Sequence, residues 1–194
     1  MCGLAKFSDV VKKWIYAFNV LVFVSCTTNS IEKQSVEFAD KRVMIPFNQL
    51  DKRVCSLFAD TLLSNKLLRL VKYIKMDGCT PCEISAMMTM ERQNIRRGDL
   101  KEVGFMYIVE TSSREKDFVY AQLCKARIEG AVYLDTCHAF LRANPHIPDN
   151  PLFHTFVLDE QDSVVLIGDP FKNEKMEKLF MKVIEREKQR KVGK

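Results

Sequence analysis

Cys79-Thr80-Pro81-Cys82 places two thiols in a C-x-x-C spacing within a chain of 194 residues that holds seven cysteines. Two cysteines so close can form and reopen a disulfide if the backbone keeps both sulfurs within bonding reach. The flanking residues say what backbone that is. Leu67 to Met76 is rich in apolar residues and leads into Asp77-Gly78, which predicts a strand. From Pro81 to about Ile95, the residues Ile84, Met87, Met88 and Ile95 fall near one face of a helix that ends at Arg96-Arg97-Gly98. The pair thus stands where strand gives way to helix. Unpaired N–H groups at a helix start favour negative charge, so the Cys79 thiolate is favoured there. Lowering a thiol pKa from ~8.5 to ~7 raises the thiolate fraction at neutral pH from a few per cent to about half. Pro81 lacks an N–H and fits the first helical turn without losing a hydrogen bond. Cys82, one turn on and expected to be the more buried of the two, would attack a mixed disulfide formed by Cys79. Asp77 works against this, because a nearby carboxylate disfavours a second anion.

Other chemistries compete for the same two thiols. A metal site would want further Cys or His ligands at suitable spacing; His138, His146 and His154 exist, but no second C-x-x-C and no H-x-x-x-H does. Haem attachment needs His directly after the second cysteine, and Glu83 stands there. A disulfide that only staples the helix start remains open. No metal and no cofactor is expected. Cys55, Cys124 and Cys137 sit among apolar residues and are expected to be small core hydrophobes, with Cys137 the first choice for an extra redox partner. The methionines, Met87-Met88-Thr89-Met90 included, are expected to pack rather than bind metal.

The N-terminus reads as an address. Lys12-Lys13 precede the apolar run Trp14 to Val24, which is followed by Ser25 and Cys26. A positive start, a short apolar stretch and a small residue before the cut describe a secretory signal, and the run is about half the ~20 residues that a spanning helix needs. Val24-Ser25-Cys26 resembles a bacterial lipobox, in which Cys26 would be lipidated; Phe23 stands where Leu is usual. The expected organisation is a signal peptide over 1–26, a linker over 27–41 that opens with the polar Thr27-Thr28-Asn29-Ser30, and one domain over 42–194. Lipidation would place the protein on a membrane of the bacterial envelope, in a space that permits disulfides.

The remaining elements complete a fold. With 47% hydrophobic and 28% charged residues, the chain can bury a core. The net charge of +5 is mild, and without a basic stripe interleaved with aromatics no nucleic-acid partner is expected. Arg42 to Phe47 is expected as a short edge strand, where Pro46 is tolerated. Strands are expected at Val103–Val109, Ala131–Leu134, His154–Leu158 and Val164–Ile167, the last two joined as a hairpin through Asp159-Glu160-Gln161-Asp162. Helices are expected from Ser112 to about Ile128, with serines as caps, and over about 137–143. A last helix, capped by Asn173, would bury Met176, Leu179, Phe180, Val183 and Ile184. Alternating strand and helix followed by a hairpin predicts an α/β fold, a three-layer α/β/α sandwich around a mixed central sheet.

These motifs together resemble the thioredoxin superfamily, nearest its membrane-tethered TlpA-like and peroxiredoxin-like branch. The resemblance rests on Met76 to Cys82 before a helix and on His154 to Asp159 with Val164 to Pro170 downstream, and it covers about residues 67–184. It implies a thioredoxin-like fold and thiol–disulfide exchange with exported proteins and a redox partner protein. It makes Cys79 the attacking thiol and Cys82 the resolving one, with Thr80, Pro81, Phe153 and His154 around the substrate groove. Four positions depart from the family. Phe153 occupies the place of its cis-proline, with Pro151 two residues earlier; either Pro151 serves through a shifted loop or the substrate-gripping backbone differs. Gly78 replaces an aromatic, Tyr73 a buried acid, and Asp162-Ser163 the glycine of the hairpin turn. A non-catalytic binding lipoprotein and a metal carrier through the same dithiol are the alternatives.

Overall fold

A computed structural model describes residues 30–53, 55, 63, 66–75, 80–96 and 101–193. The proposed signal and Cys26 lie outside them. The chain divides into two compact units, Met1–Glu37 and Phe38–Lys194. Residues 30–38, expected as linker, are helical (α1). The stretch contains neither glycine nor proline, and Lys33 pairs with Glu37 one turn on at 3.9 Å. Among the described residues no helix is long and apolar enough to cross a membrane.

The second unit is built on a six-stranded sheet of β1 (Asp51–Arg53), β2 (Leu68–Ile74), β3 (Val103–Glu110), β4 (Ala131–Asp135), β5 (Thr155–Leu158) and β6 (Val164–Ile167), in the order β1-β4-β3-β2-β5-β6. β2, β3 and β4 run parallel, while β1, β5 and β6 pair antiparallel to their neighbours. Four helices follow in chain order: α2 (Thr80–Arg96), α3 (Lys116–Lys125), α4 (Ala139–Ala143) and α5 (Glu174–Val192). The central strands are covered on both faces, which is why they read as unbroken apolar runs. Leu68, Leu70, Phe105, Tyr107, Val132 and Val157 form one core with Met87 of α2, Leu123 of α3 and Phe180 of α5. Val71, Tyr73, Met106, Ile108, Phe156 and Leu158 form the other with Phe140 of α4 and Phe38. The architecture is the expected three-layer α/β sandwich with a mixed sheet.

Several local expectations need correction. The edge strand is β1, at 51–53, and not 42–47. The backbone N–H and C=O of Met44 are both taken by the side-chain amide of buried Asn144, at 2.7 Å each, so they are unavailable to a ladder. Only Arg42 forms an isolated bridge, to Ser163. α3 starts at Lys116 because Ser112 acts one turn early: its Oγ accepts from the Glu115 N–H and bonds the Glu115 carboxylate. Asn173 caps α5 as expected, accepting from the Met176 N–H at 2.9 Å. Leu179 of that helix is exposed, and Glu187, bound by Arg186 and Arg190, is buried instead. Cys55 and Cys124 are not free core thiols: they form a disulfide with a Cα–Cα distance of 4.8 Å, tying the chain beyond β1 to α3. Cys137 is free and exposed.

The hairpin turn accounts for the missing glycine. Asp162 has φ +64°, the left-handed region where glycine is usual and Asp is among the better tolerated side chains. Asp159 Oδ1 accepts from the N–H groups of Gln161 and Ser163, both at 2.9 Å, and Arg69 of β2 binds the Asp162 carboxylate.

Candidate functional site

α2 begins at the C-terminal end of the central strand β2, and Cys82, expected to be the more buried thiol, instead lies exposed in its first turn. Cys82 is disulfide-bonded. Because Cys55 and Cys124 pair with each other and Cys137 is free, its partner lies outside the described residues. Cys79 itself lies there too. Thr80 and Pro81 are the first two residues of α2.

The next residue, Glu83, turns back to the sheet and pairs with Lys72 of β2, Nζ to Oε2, at 2.9 Å. Both line a cleft of about 230 Å³ together with Lys75, Asp149, Pro151 and His154. β5 closes its far side, since Lys72 is paired in register with Thr155 and the Tyr73 N–H donates to the His154 carbonyl at 2.8 Å. Lys75 binds Asp149 and holds that carboxyl below the usual range. Each lysine of the cleft therefore has an acid as partner.

His154 is 6% exposed, and its Nε2 is buried with no hydrogen-bond partner among the described residues. The Pro148 carbonyl accepts a hydrogen bond from the ring. Burial, first, and the Lys75 charge push the imidazole below its ordinary value, against that hydrogen bond and Asp149. The ring is thus neutral at pH 7, with one nitrogen buried and unpartnered among the described residues.

Of the two residues expected around the substrate groove beyond the helix start, His154 lines this cleft. Phe153 does not. It is 1% exposed and packs edge-on against Phe38, ring centroids 6.2 Å apart, because the single turn Pro151–Phe153 drives its ring into the core. Pro151 takes the cleft position instead. No peptide bond among the described residues is cis. Tyr73, at the place of the family's buried acid, packs into the core away from α2, its ring 5.4 Å from that of His154 and its hydroxyl bonded to Glu110. Glu110 in turn meets exposed His138 at 2.7 Å. Lys72, Lys75, Glu83 and Asp149 were not singled out from sequence; the signal was two lysines at the end of an otherwise buried strand. Among the described residues no group of three or more His, Cys, Asp or Glu could hold a metal ion.

A sheet of this order, with the parallel strands central, a terminal antiparallel hairpin and a cysteine-bearing helix start at the end of β2, defines a thioredoxin-like α/β fold. No family model matches the chain, and no curated protein matches it. Among solved structures, a thioredoxin-like protein in its oxidised form superposes with a TM-score of 0.52 at 14% identity, over 75% of this chain and 97% of that one. A Chlorobium tepidum protein assigned as thiol:disulfide interchange protein DsbE gives a TM-score of 0.49 at 14% identity, over 75% and 98% of the two chains. An uncharacterized thioredoxin-like protein from Porphyromonas gingivalis gives 0.44 at 19% identity, over 65% and 78%. At such identities the likeness is one of fold.

Proposed function

We propose that the protein is an envelope thiol–disulfide oxidoreductase that exchanges disulfides with exported proteins through Cys79 and Cys82. One observation carries the reading: Cys82 is both disulfide-bonded and solvent-exposed in the first turn of the helix that leaves the central strand. A structural staple is usually buried, whereas an exposed bond at a helix start can be attacked, and the N–H groups there favour the thiolate that leaves. Cys79 is the partner that the C-x-x-C spacing supplies. It would form the mixed disulfide with the substrate, and Cys82 would resolve it.

A lipid on Cys26 would tether the domain to a bacterial membrane on its oxidising side. The second disulfide, Cys55–Cys124, supports that placement, because such bonds persist in exported proteins and are rare in the cytosol.

Reduction of insulin disulfides and a thiol-alkylation gel shift across a glutathione series test the exchange. Turnover by the wild-type chain and its loss in Cys79→Ser are expected; a Cys79→Ser protein as active as wild type would defeat the proposal. Membrane fractionation with a Cys26→Ala control tests the anchor, which is refuted if both chains partition alike.

A further inference from the structure

His154, which lines the same cleft as Glu83, the neighbour of Cys82, has one polar atom that the fold leaves unused. His154 Nε2 is buried and unpartnered among the described residues, while the other ring nitrogen is engaged by the Pro148 carbonyl. An orphaned buried acceptor costs stability, so an apolar residue would serve the fold better at this place. The cleft is polar, and its roughly 230 Å³ holds several waters at about 30 Å³ each. Glu83, the neighbour of Cys82, forms part of the same wall.

From this placement, and resting on the exchange reading above, we infer that His154 is the proton acceptor of the site. The step needs one. When the Cys82 thiol attacks a mixed disulfide between Cys79 and a substrate, the Cys79–Cys82 bond forms and the Cys79–substrate bond breaks. The substrate sulfur leaves as a thiolate with the bonding pair, and the Cys82 proton must go elsewhere. His154 Nε2 takes it through water in the cleft, then gives it to the departing thiolate. In the opposite direction the imidazolium returns the proton to Cys82.

The surrounding charges suit transient tenure. Lys72 and Lys75 of β2 oppose the imidazolium, Asp149 of the loop and Glu83 of α2 favour it, and Tyr73 beside the ring is itself bonded to Glu110 of β3. The acceptor is therefore a weak one that releases its proton readily.

Ring closure can be timed on the full chain by mixing reduced protein with one equivalent of the disulfide 5,5′-dithiobis(2-nitrobenzoate), which exchanges onto Cys79 with release of one coloured thiolate, and following release of the second by stopped flow; Cys82→Ser supplies the trapped control. In wild type the rate should fall as pH drops through an inflection below about 6.5. His154→Gln should remove that inflection and slow closure at pH 7 on the order of 100-fold. Equal rates and equal pH profiles in the two proteins overturn the inference while leaving the exchange reading intact. Absence of closure in wild type removes the exchange reading and the inference with it. Should His154→Gln not fold, an NMR titration of His154 in the wild-type disulfide and dithiol forms decides the matter. Its midpoint should move when the disulfide opens, and an unmoved midpoint counts against the role.

Discussion

Lys72 Nζ lies 2.9 Å from Glu83 Oε2, so an ion pair joins the central strand to the first turn of the helix that carries Cys82. Its lysine is only 16% exposed and its glutamate 35%. Charges at this depth act on the neighbouring thiols with less screening than surface pairs. Lys72→Met leaves Glu83 unneutralised beside the dithiol, which should raise the apparent thiol pKa by up to about one unit. Glu83→Gln should lower it by a similar amount. The ultraviolet absorbance of the thiolate in reduced protein measures this, and superimposable titrations for the variants and wild type would show that the pair is electrostatically silent.

Folding should weaken in mild acid. Burial lowers the pKa of both His154 and His146, so the unfolded chain binds more protons than the folded one once pH falls below the unfolded imidazole value of about 6.5. The stability they confer as neutral rings is complete above that value and is lost as pH falls toward their folded values. Urea midpoints should therefore drop between about pH 6.5 and pH 5, and His154→Gln should flatten part of the slope. An unchanged slope in that variant would mean that His154 does not titrate with folding.

The Cys55–Cys124 disulfide closes a loop between residues 69 apart in sequence. Loop-closure entropy puts its stabilisation at about 4 kcal/mol as an upper figure, with 2–4 typical. Cys55→Ser/Cys124→Ser should lower stability by roughly that amount and leave insulin reduction by the folded protein unchanged. If activity is lost while the double variant remains folded, the second disulfide belongs to the redox path.

Glu91 ties α2 to the segment before β4, accepting from the N–H groups of Glu129 at 3.0 Å and Gly130 at 2.8 Å. Its carboxyl is raised above the usual range by burial, against those two donors. Glu91→Ala orphans both, at a cost of about 2 kcal/mol, or roughly 4–8 °C in Tm for a chain of this size. Gly130→Ala should cost a further 1–3 kcal/mol by overpacking, because its Cβ would sit 2.5 Å from Tyr107 Cε2 and 2.9 Å from Phe105 Cβ. Thermal melts check both, and melting points within a degree or so of wild type would rule out the packing described.

Features that neighbouring residues settle were legible in the chain's local pattern. Apolar runs and helical periodicity located β2 to β6 and the helix after Pro81. Asn173 announced its helix, and Asp159 to Asp162 announced a hairpin, because caps and turns are satisfied within a few residues. Which distant segments meet is set by packing across the sheet. Periodicity tells which side of an element is apolar and says nothing of what covers it. The Cys55–Cys124 bond, the Asn144 clamp on Met44 that displaced the edge strand, the inward turn of Phe153 and the cleft between Lys72, Glu83 and His154 all join residues far apart in the chain. Their partners follow from the sheet order, which sets strands from opposite ends of the sequence side by side.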